Sequence, residues 1–523
     1  MMNYKHTPPI LGILAAIIFQ AMAIHAAETA ARTDRPNLIF ILADDLSYGD
    51  LSCFGQQHFA TPNIDRLASE GRIFANAYAG APWCAPSRTA LLTGRTARHF
   101  APLQKNAQGL GTQFNPTVAE MLHTAGYATA ILGKWHMQEG GETWFFNKPT
   151  RAEQRAMENP AEMPWHRGFD VCRIGYSFGL NPYFPHQIET GDATEIPLPE
   201  NRDVDDDYLS KNNHYRSPDI YDPQGRFVDK TGKDSSHLRY AEDIYRAEAI
   251  KFIAKNQKRP FFLYYATPLV HGPLAVKELG QFKDMPAVWS MAHKAWAAEV
   301  VELDHSVGLI LDELKKSGLA TNTVVLFAAD NGYSEWGYFG RKTWADDPLF
   351  HNKGPWNRGK FVNSNGGVIV PFIAWGPGRV APGKTGRAIG FYDFMATAGE
   401  LSGAKLPGPT DGVSFVPLLA GRDQDQPLRT ALAWSTEGNY GIKIPDDFDP
   451  NDKTAKYLPP SVLLDERWYA LGIRKQPAPA PLTIRVFDIA TDAGCTIDLS
   501  SARKDLCDRA AAEFQKLAAG GNE

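Results

Sequence analysis

Cysteine is scarce in this chain: five residues in 523, at Cys53, Cys84, Cys172, Cys495 and Cys507. None has a second cysteine two or three residues away, which excludes the CxxC pairs of zinc ribbons and thiol–disulfide enzymes. Long apolar runs are equally rare. Beyond the first thirty residues no stretch reaches the ~18 apolar residues of a membrane span, so no span is expected once that segment is removed. Positive charge is not in excess either. The net charge is −5 and the pI is near 6.3, so no nucleic-acid partner is expected. No internal repeat is evident.

What is present is an ordinary soluble composition, 43% hydrophobic and 22% charged, enough for a sizeable core. The N-terminus differs. "LGILAAIIFQAMAI" follows Lys5 and precedes the small-residue stretch "HAAETAA", the order of a secretory signal. Residues 1–27 therefore read as a signal peptide, with a mature start between Ile24 and Arg32 and export to the periplasm or beyond. An oxidising compartment permits disulfides. If one cysteine is chemically special, four remain, and Cys495 with Cys507 is the expected bridge because they lie close in sequence.

Near-continuous apolar segments read as strands covered on both faces: 37–43, 127–133, 259–266, 323–329 and "GVIVPFIAW" at 367–375. Helical patterns alternate with them. "TPNIDRLASEG" offers Thr61 as N-cap and Pro62 at the first helical position, and a long helix ends in lysines before Gly318. This alternation predicts an α/β fold with a large, mostly parallel sheet flanked by helices. Residues 28–421 form the expected catalytic domain and 422–523 a smaller C-terminal α+β subdomain. Polar stretches at 180–235 and 331–359 read as long surface insertions able to cover a site.

In parallel sheets the ligand crevice lies beyond the carboxyl ends of the strands. Here the strands run into Asp44-Asp45, Lys134-Trp135-His136, His271 and Asp330-Asn331. Any one of these could be a turn or cap residue. Four decorated strand ends on one rim are harder to dismiss. Three carboxylates and an amide carbonyl suit a hard divalent cation, calcium or magnesium, better than zinc. Lys134, and His136 if protonated, would favour an anionic substrate beside it.

The remaining signal is "CAPSRTALLTGR", residues 84–95. Pro86 and Ser87 start a helix, so Cys84 sits just ahead of exposed N–H groups that favour a tetrahedral anion. Arg88, one turn in, can make a charge-assisted contact. Cys84 itself could be half of a disulfide, a thiolate nucleophile, or the precursor of something else.

Together these residues resemble the sulfatase family. Cys-x-Pro-Ser-Arg-x-x-x-Leu-Thr-Gly-Arg is complete at 84–95, and "PNLIFILADDLSYGDLSCFG", "TPNIDRLASEG", "GKWH", "ADNG" and "DGVSFVPLLAG" stand in the family's order. The resemblance implies an alkaline-phosphatase-like fold and hydrolysis of sulfate monoesters. It implies that Cys84 is oxidised during export, by a formylglycine-generating enzyme, to formylglycine (3-oxoalanine). The hydrated aldehyde then attacks sulfur, and its second hydroxyl later expels sulfate. By matching positions, Asp44, Asp45, Asp330 and Asn331 resemble the ligands of one calcium ion, Ca2+, with residue 84 completing the shell. Arg88 and Lys134 resemble the groups orienting the hydrate, and His136 the base that expels sulfate. His271 and Lys360 resemble the pair contacting sulfate and the scissile oxygen, with His271 as leaving-group acid. The chain departs from the pattern at Asn365 and Ile369, which replace the family's Glu and Arg, and at Val270, which replaces a proline. The first departure leaves Lys353 as an alternative to Lys360.

Two other functions fit parts of the pattern. A phosphate mono- or diester hydrolase of the same superfamily would use Thr or Ser as nucleophile and two zinc ions; a non-catalytic sulfated-glycan binder would leave Cys84 unmodified. For the alcohol half, "YSFGLNPYFPH" resembles an aromatic insertion of sugar-specific members, with Tyr176, Tyr183 and His186 as sugar-facing candidates. The expected substrates are sulfated mono- or oligosaccharides, attacked from a chain end, with aryl sulfates turned over less well.

Overall fold

A computed structural model describes residues 35–96, 116–137, 162–174, 183–185, 238–272, 276–334, 346–435, 460–473 and 481–518, with 99, 110, 224, 226 and 274 besides. The signal segment, Tyr176, His186 and most of the 180–235 insertion lie outside them.

The core is an eight-stranded sheet ordered β10-β2-β9-β8-β1-β7-β3-β4. Its strands are β1 (Asn37–Ala43), β2 (Arg72–Tyr78), β3 (Ala128–Gly133), β4 (Val171–Ile174), β7 (Phe261–Ala266), β8 (Thr323–Ala329), β9 (Phe372–Trp375) and β10 (Gly383–Gly390). Two short strands, β5 (Tyr183–Pro185) and β6 (Leu238–Tyr240), pair separately. Every residue of β1, β3, β7 and β8 is buried, as uninterrupted apolar runs require. Five of the seven pairings are parallel; the two made by β9 are antiparallel. The sheet is thus mixed rather than uniformly parallel. The stretch read as one strand at 367–375 also divides: Asn365–Val368 is a helical turn, and only Phe372–Trp375 extends as β9. The two glycines at 366 and 367 explain the turn. A Cβ on Gly367 would lie 2.0 Å from the Val362 carbonyl, a closeness no strand residue with a side chain tolerates.

Two helical groups cover the sheet. One joins α1 (Pro62–Glu70), α4 (Ala241–Lys255) and α5 (Met291–Lys316); the other joins α2 (Cys84–Thr93), α3 (Val118–Thr124) and α6 (Asp393–Ser402). Pro62 opens α1 and Thr61 holds the N-cap position as expected, but the Thr61 side chain makes no capping bond. The Asn63 and Ile64 amides instead donate to Asp304 Oδ1 of α5, at 2.9 and 2.8 Å, so a carboxylate from the next helix satisfies the orphan donors and the dipole together. The long helix starts at a capping interaction by Ser290, whose hydroxyl accepts from His293 N.

The C-terminal part is an antiparallel sheet, β11 (Ala431–Trp434), β12 (Ser461–Leu464), β13 (Trp468–Ile473) and β14 (Thr483–Asp488), with α7 (Lys504–Ala518). Alternation sorts its side chains. Val462, Leu464, Ala470 and Val486 face Leu506, Ala510 and Phe514 of α7. Leu463, Tyr469, Leu471 and Phe487 face Tyr78, Ile369 and Tyr392 of the large domain. Cys495 joins that inner cluster, whereas Cys507 packs on the α7 side. The expected Cys495–Cys507 bridge is absent because the sheet separates them; all five cysteines are free.

Candidate active site

Four adjacent strands deliver the site. In the order β8-β1-β7-β3 all pairings are parallel, so their carboxyl ends share one rim. The residues that follow are Asp330-Asn331, Asp44-Asp45, the 267–271 turn, and Lys134-Trp135-His136. Main-chain bonds lock these ends together: Asp330 N donates to Ala43 O at 2.9 Å, Lys134 N to Ala266 O at 2.7 Å, and Val270 N to Asp44 O at 2.7 Å. Gly133 makes the Lys134 turn possible. It takes φ +110°, and a Cβ there would meet the Ala266 carbonyl at 2.1 Å. Asp45 and His136 both adopt left-handed backbone, φ 60° and 53°, uncommon for residues with side chains and concentrated at functional sites.

Cys84 meets these ends from the first turn of α2, entirely buried like the rest of that helix. Its sulfur lies 3.5 Å from Asp44 Oδ1 and 3.5 Å from Asn331 Oδ1. Burial, and then the charge of Asp330, push the thiol well above its ordinary value. It is not paired with another cysteine, and its buried surroundings disfavour the thiolate.

The surrounding charges come in pairs. Lys134 Nζ donates to Asp44 Oδ2 at 2.6 Å. Arg88 donates from Nε and Nη2 to Asp330 Oδ2 at 3.0 and 2.8 Å, and from Nη1 to the Lys134 carbonyl. Lys360 Nζ donates to both oxygens of Asp45, at 2.6 and 2.8 Å. Lys360, despite the altered loop around it, is thus the cation placed on the cluster; Lys353 is half-buried, its amide donating to Asp346. Burial alone would raise the Asp45 carboxyl, but Lys360, with His271 and Lys134, holds it well below the usual carboxylate range. Burial works against the Lys360 ammonium too, and Asp45 outweighs it. Asp330 fares differently: burial and the nearby Asp44 keep its carboxyl above the usual range.

Both histidines are held neutral. Burial and then Lys134 and Arg88 push His136 far below an ordinary imidazole, so it is a proton acceptor rather than the anion-binding cation considered from sequence. His271 is lowered to about 3 by burial and by Lys134 and Lys360, against the pull of Asp45. Its Nδ1–H donates to the Gly272 carbonyl at 2.6 Å, which leaves Nε2, 3.7 Å from Asp45, as the nitrogen facing the site.

The donors suit a hard cation. Ligand atoms of Asp44, Asp45, Cys84 and Asp330 lie within 4.8 Å of one another, all buried. Asn331 Nδ2 donates to Asp45 Oδ1 at 2.9 Å and to Gly332 O at 3.1 Å, which turns its Oδ1 inward. Three carboxylates against three cations leave the cluster formally neutral, so a divalent ion there would make it an anion trap.

Ser334, whose hydroxyl donates to Asp45 Oδ2 at 3.0 Å, was not singled out from sequence. Its place three residues after Asn331 was the available signal. His186 lies outside the described residues, and of Tyr183 only the backbone of β5 is described.

Fold and site together define a hydrolase of anionic esters. The sulfatase family model matches residues 36–404, and the chain belongs to the sulfatase family. It is accordingly a sulfuric ester hydrolase. Human arylsulfatase A is 31% identical over 76% of this chain and 70% of its own length. Dog N-acetylgalactosamine-6-sulfatase is 29% identical over 75% of this chain and 68% of its own. Among solved structures, that of Ps i-CgsB superposes with a TM-score of 0.65 at 25% identity, covering 92% of both chains. Among the described residues no helix is long and apolar enough to cross a membrane.

Proposed function

We propose that the protein is an exported, periplasmic or secreted sulfatase that removes sulfate from the ends of sulfated mono- or oligosaccharides, using a formylglycine made from Cys84 by a formylglycine-generating enzyme. The observation that carries this reading is the buried Cys84 sulfur, 3.5 Å from Asp44 and Asn331, at the meeting point of three carboxylates and three cations. An unmodified thiol so placed is a poor nucleophile. As 3-oxoalanine, residue 84 would supply a hydrated aldehyde able to attack sulfur. Asp44, Asp45, Asp330 and Asn331 would hold calcium, which would polarise the sulfate oxygens.

The chain's own groups do the rest. Arg88 and Lys134, fixed on Asp330 and Asp44, orient residue 84 and add charge for sulfate. Lys360 adds a third charge from the opposite loop. His136, neutral, accepts the proton whose loss expels sulfate. His271 presents Nε2 to the leaving oxygen; a bound sulfate anion would favour the protonated ring against the burial, and then the Lys134 and Lys360 charges, that hold it neutral, letting Nε2 carry the proton it donates.

The sugar preference rests on the exported, sugar-sulfatase-like sequence features and on a relative named for N-acetylgalactosamine 6-sulfate. The test is co-expression with a formylglycine-generating enzyme, mass analysis of the Cys84 peptide, metal analysis, and sulfate release from a panel of sulfated disaccharides and an aryl sulfate. We expect the aldehyde, calcium without zinc, and faster turnover of at least one sugar. An active enzyme with an alkylatable thiol at residue 84 refutes the mechanism. Stoichiometric zinc refutes the metal, and an aryl ester faster than every sugar refutes the substrate class.

A further inference from the structure

We infer that Glu242 is a positioning residue for His271, acting through Thr267 from the layer behind the site. Glu242 stands in the first turn of α4 and is 1% exposed. Its carboxylate accepts three hydroxyls: Tyr265 OH at 2.5 Å and Ser306 Oγ at 2.7 Å on Oε1, and Thr267 Oγ1 at 2.7 Å on Oε2. A carboxylate buried beneath an active-site rim is costly, and three donors are what it takes to hold it there. Two of the three serve packing between α4, β7 and α5. The third leads into the site.

Thr267 is the first residue after β7. Because its hydroxyl hydrogen is committed to Glu242, its oxygen is turned to accept from Leu269 N at 3.2 Å. The carbonyl of the same Leu269 accepts from Asp44 N at 2.8 Å, and Val270 N in turn donates to Asp44 O. His271 N closes the turn on Pro268 O at 2.9 Å. The path from Glu242 to the imidazole is therefore two side-chain hydrogen bonds and one turn of backbone. Glu242 is buried behind the rim and presents no surface to a substrate. Its effect is to fix the rotamer of Thr267, and with it the turn that aims His271 Nε2.

This inference rests on the reading of His271 as leaving-group acid, and the test separates the two. An acid matters most for a poor leaving group, such as a sugar alcohol, and least for a nitrophenolate. The ratio of kcat/KM for a sugar sulfate to that for 4-nitrophenyl sulfate is measured in wild type, His271→Ala, Glu242→Gln, Thr267→Val and Thr267→Ser. A displacement of under an ångström at a catalytic group costs on the order of ten- to a hundred-fold. We expect Glu242→Gln and Thr267→Val each to lower the ratio about ten-fold, through kcat rather than KM. The double variant should be no worse than either single one, and Thr267→Ser, which keeps the hydroxyl, should restore the ratio. Equal losses on both esters in Glu242→Gln, or additive losses in the double variant, overturn the inference while the role of His271 stands. An unchanged ratio in His271→Ala overturns that role and the inference with it. If Glu242→Gln does not fold, the two Thr267 variants decide alone.

Discussion

Replacing Lys360 by methionine should destabilise the metal-free protein more than the calcium-loaded one. Lys360 and Asp45 form a buried pair, 6% and 0% exposed, with N–O distances of 2.6 and 2.8 Å. Both partners are shifted in the direction of mutual stabilisation, Asp45 down and Lys360 up, each against its own burial. At an effective dielectric near 20 the gross attraction at this distance is about 6 kcal/mol. Desolvation of the ammonium removes much of that. Breaking such a pair from one side typically costs ~3–5 kcal/mol, because a charge stays buried alone. Asp45 keeps Asn331 Nδ2 and Ser334 Oγ as donors, which places the variant at the low end, about 3 kcal/mol. With an unfolding entropy of ~2.1 cal/mol/K per residue, that is a fall of about 3 °C in the melting midpoint of a chain this size.

Calcium changes the comparison. With a divalent ion on Asp45 the stranded charge is compensated, so the deficit should shrink to below ~1 kcal/mol, the difference in packing. At a hundred times its dissociation constant, calcium stabilises wild type by ~2.7 kcal/mol, and the variant should gain more. The pH dependence has a definite sign. A carboxyl lowered on folding contributes stability above its unfolded value, near 3.9, which is lost as pH falls toward the folded one; a raised lysine contributes below ~10.4, lost as pH rises beyond it. The deficit of the variant should therefore be constant from pH 5 to 9 and diminish below about pH 4. Thermal unfolding in chelator and in calcium chloride measures all of this. A variant as stable as wild type in chelator, or a deficit that calcium leaves untouched, refutes the reasoning.

Cys84→Ala should abolish turnover and leave the melting midpoint within about a degree, since only a small buried atom is lost; residual activity at the wild-type rate excludes residue 84 as nucleophile. Burial raises the Asp50 carboxyl to about 7 although Trp296, Asn352 and Ser47 N all donate to it. A carboxyl raised on folding binds protons that the unfolded chain has lost, so stability should fall from about pH 4 to about pH 7, and Asp50→Asn should flatten that fall; an unaltered slope counts against it. Asn365 accepts from Asn357 N at 3.0 Å and donates to Ala493 O at 2.6 Å, tying the Lys360 loop to the turn that follows β14. Asn365→Glu sets a carboxylate against that carbonyl and should cost ~2–4 kcal/mol; Asn365→Ala being equally costly would show that only the lost bonds matter.

The legible parts of this site are those that chemistry ties to a strand end. Asp44, Asp45, Lys134, His271, Asp330 and Asn331 each follow an apolar run, and parallel pairing alone suffices to bring them to one rim. Cys84 and Arg88 were legible from a short motif whose proline and serine signal a helix start, although the helix opens two residues earlier, at Cys84 itself, with Trp83 as its N-cap. The antiparallel course of β9 was not, because a four-residue apolar strand carries no sign of its direction, and the turn before it depends on two glycines pressed against backbone from 357–362. Nor was the separation of Cys495 from Cys507, since closeness in sequence says nothing about which face of a sheet each takes. The protonation of His136 was also out of reach: it depends on burial and then on how many cations surround the ring, and Lys134, Arg88 and Lys360 come from three separate segments. Glu242 is the extreme case. It sits in "AEDIYRAEAIKF", a charged helical stretch that any reading would assign to solvent. Only the three hydroxyls of Tyr265, Thr267 and Ser306 turn it inward, and none of them is adjacent in sequence. A site built on strand ends can thus be listed from a sequence, but the groups that aim it are set by which hydroxyls tertiary packing leaves within reach of a buried charge.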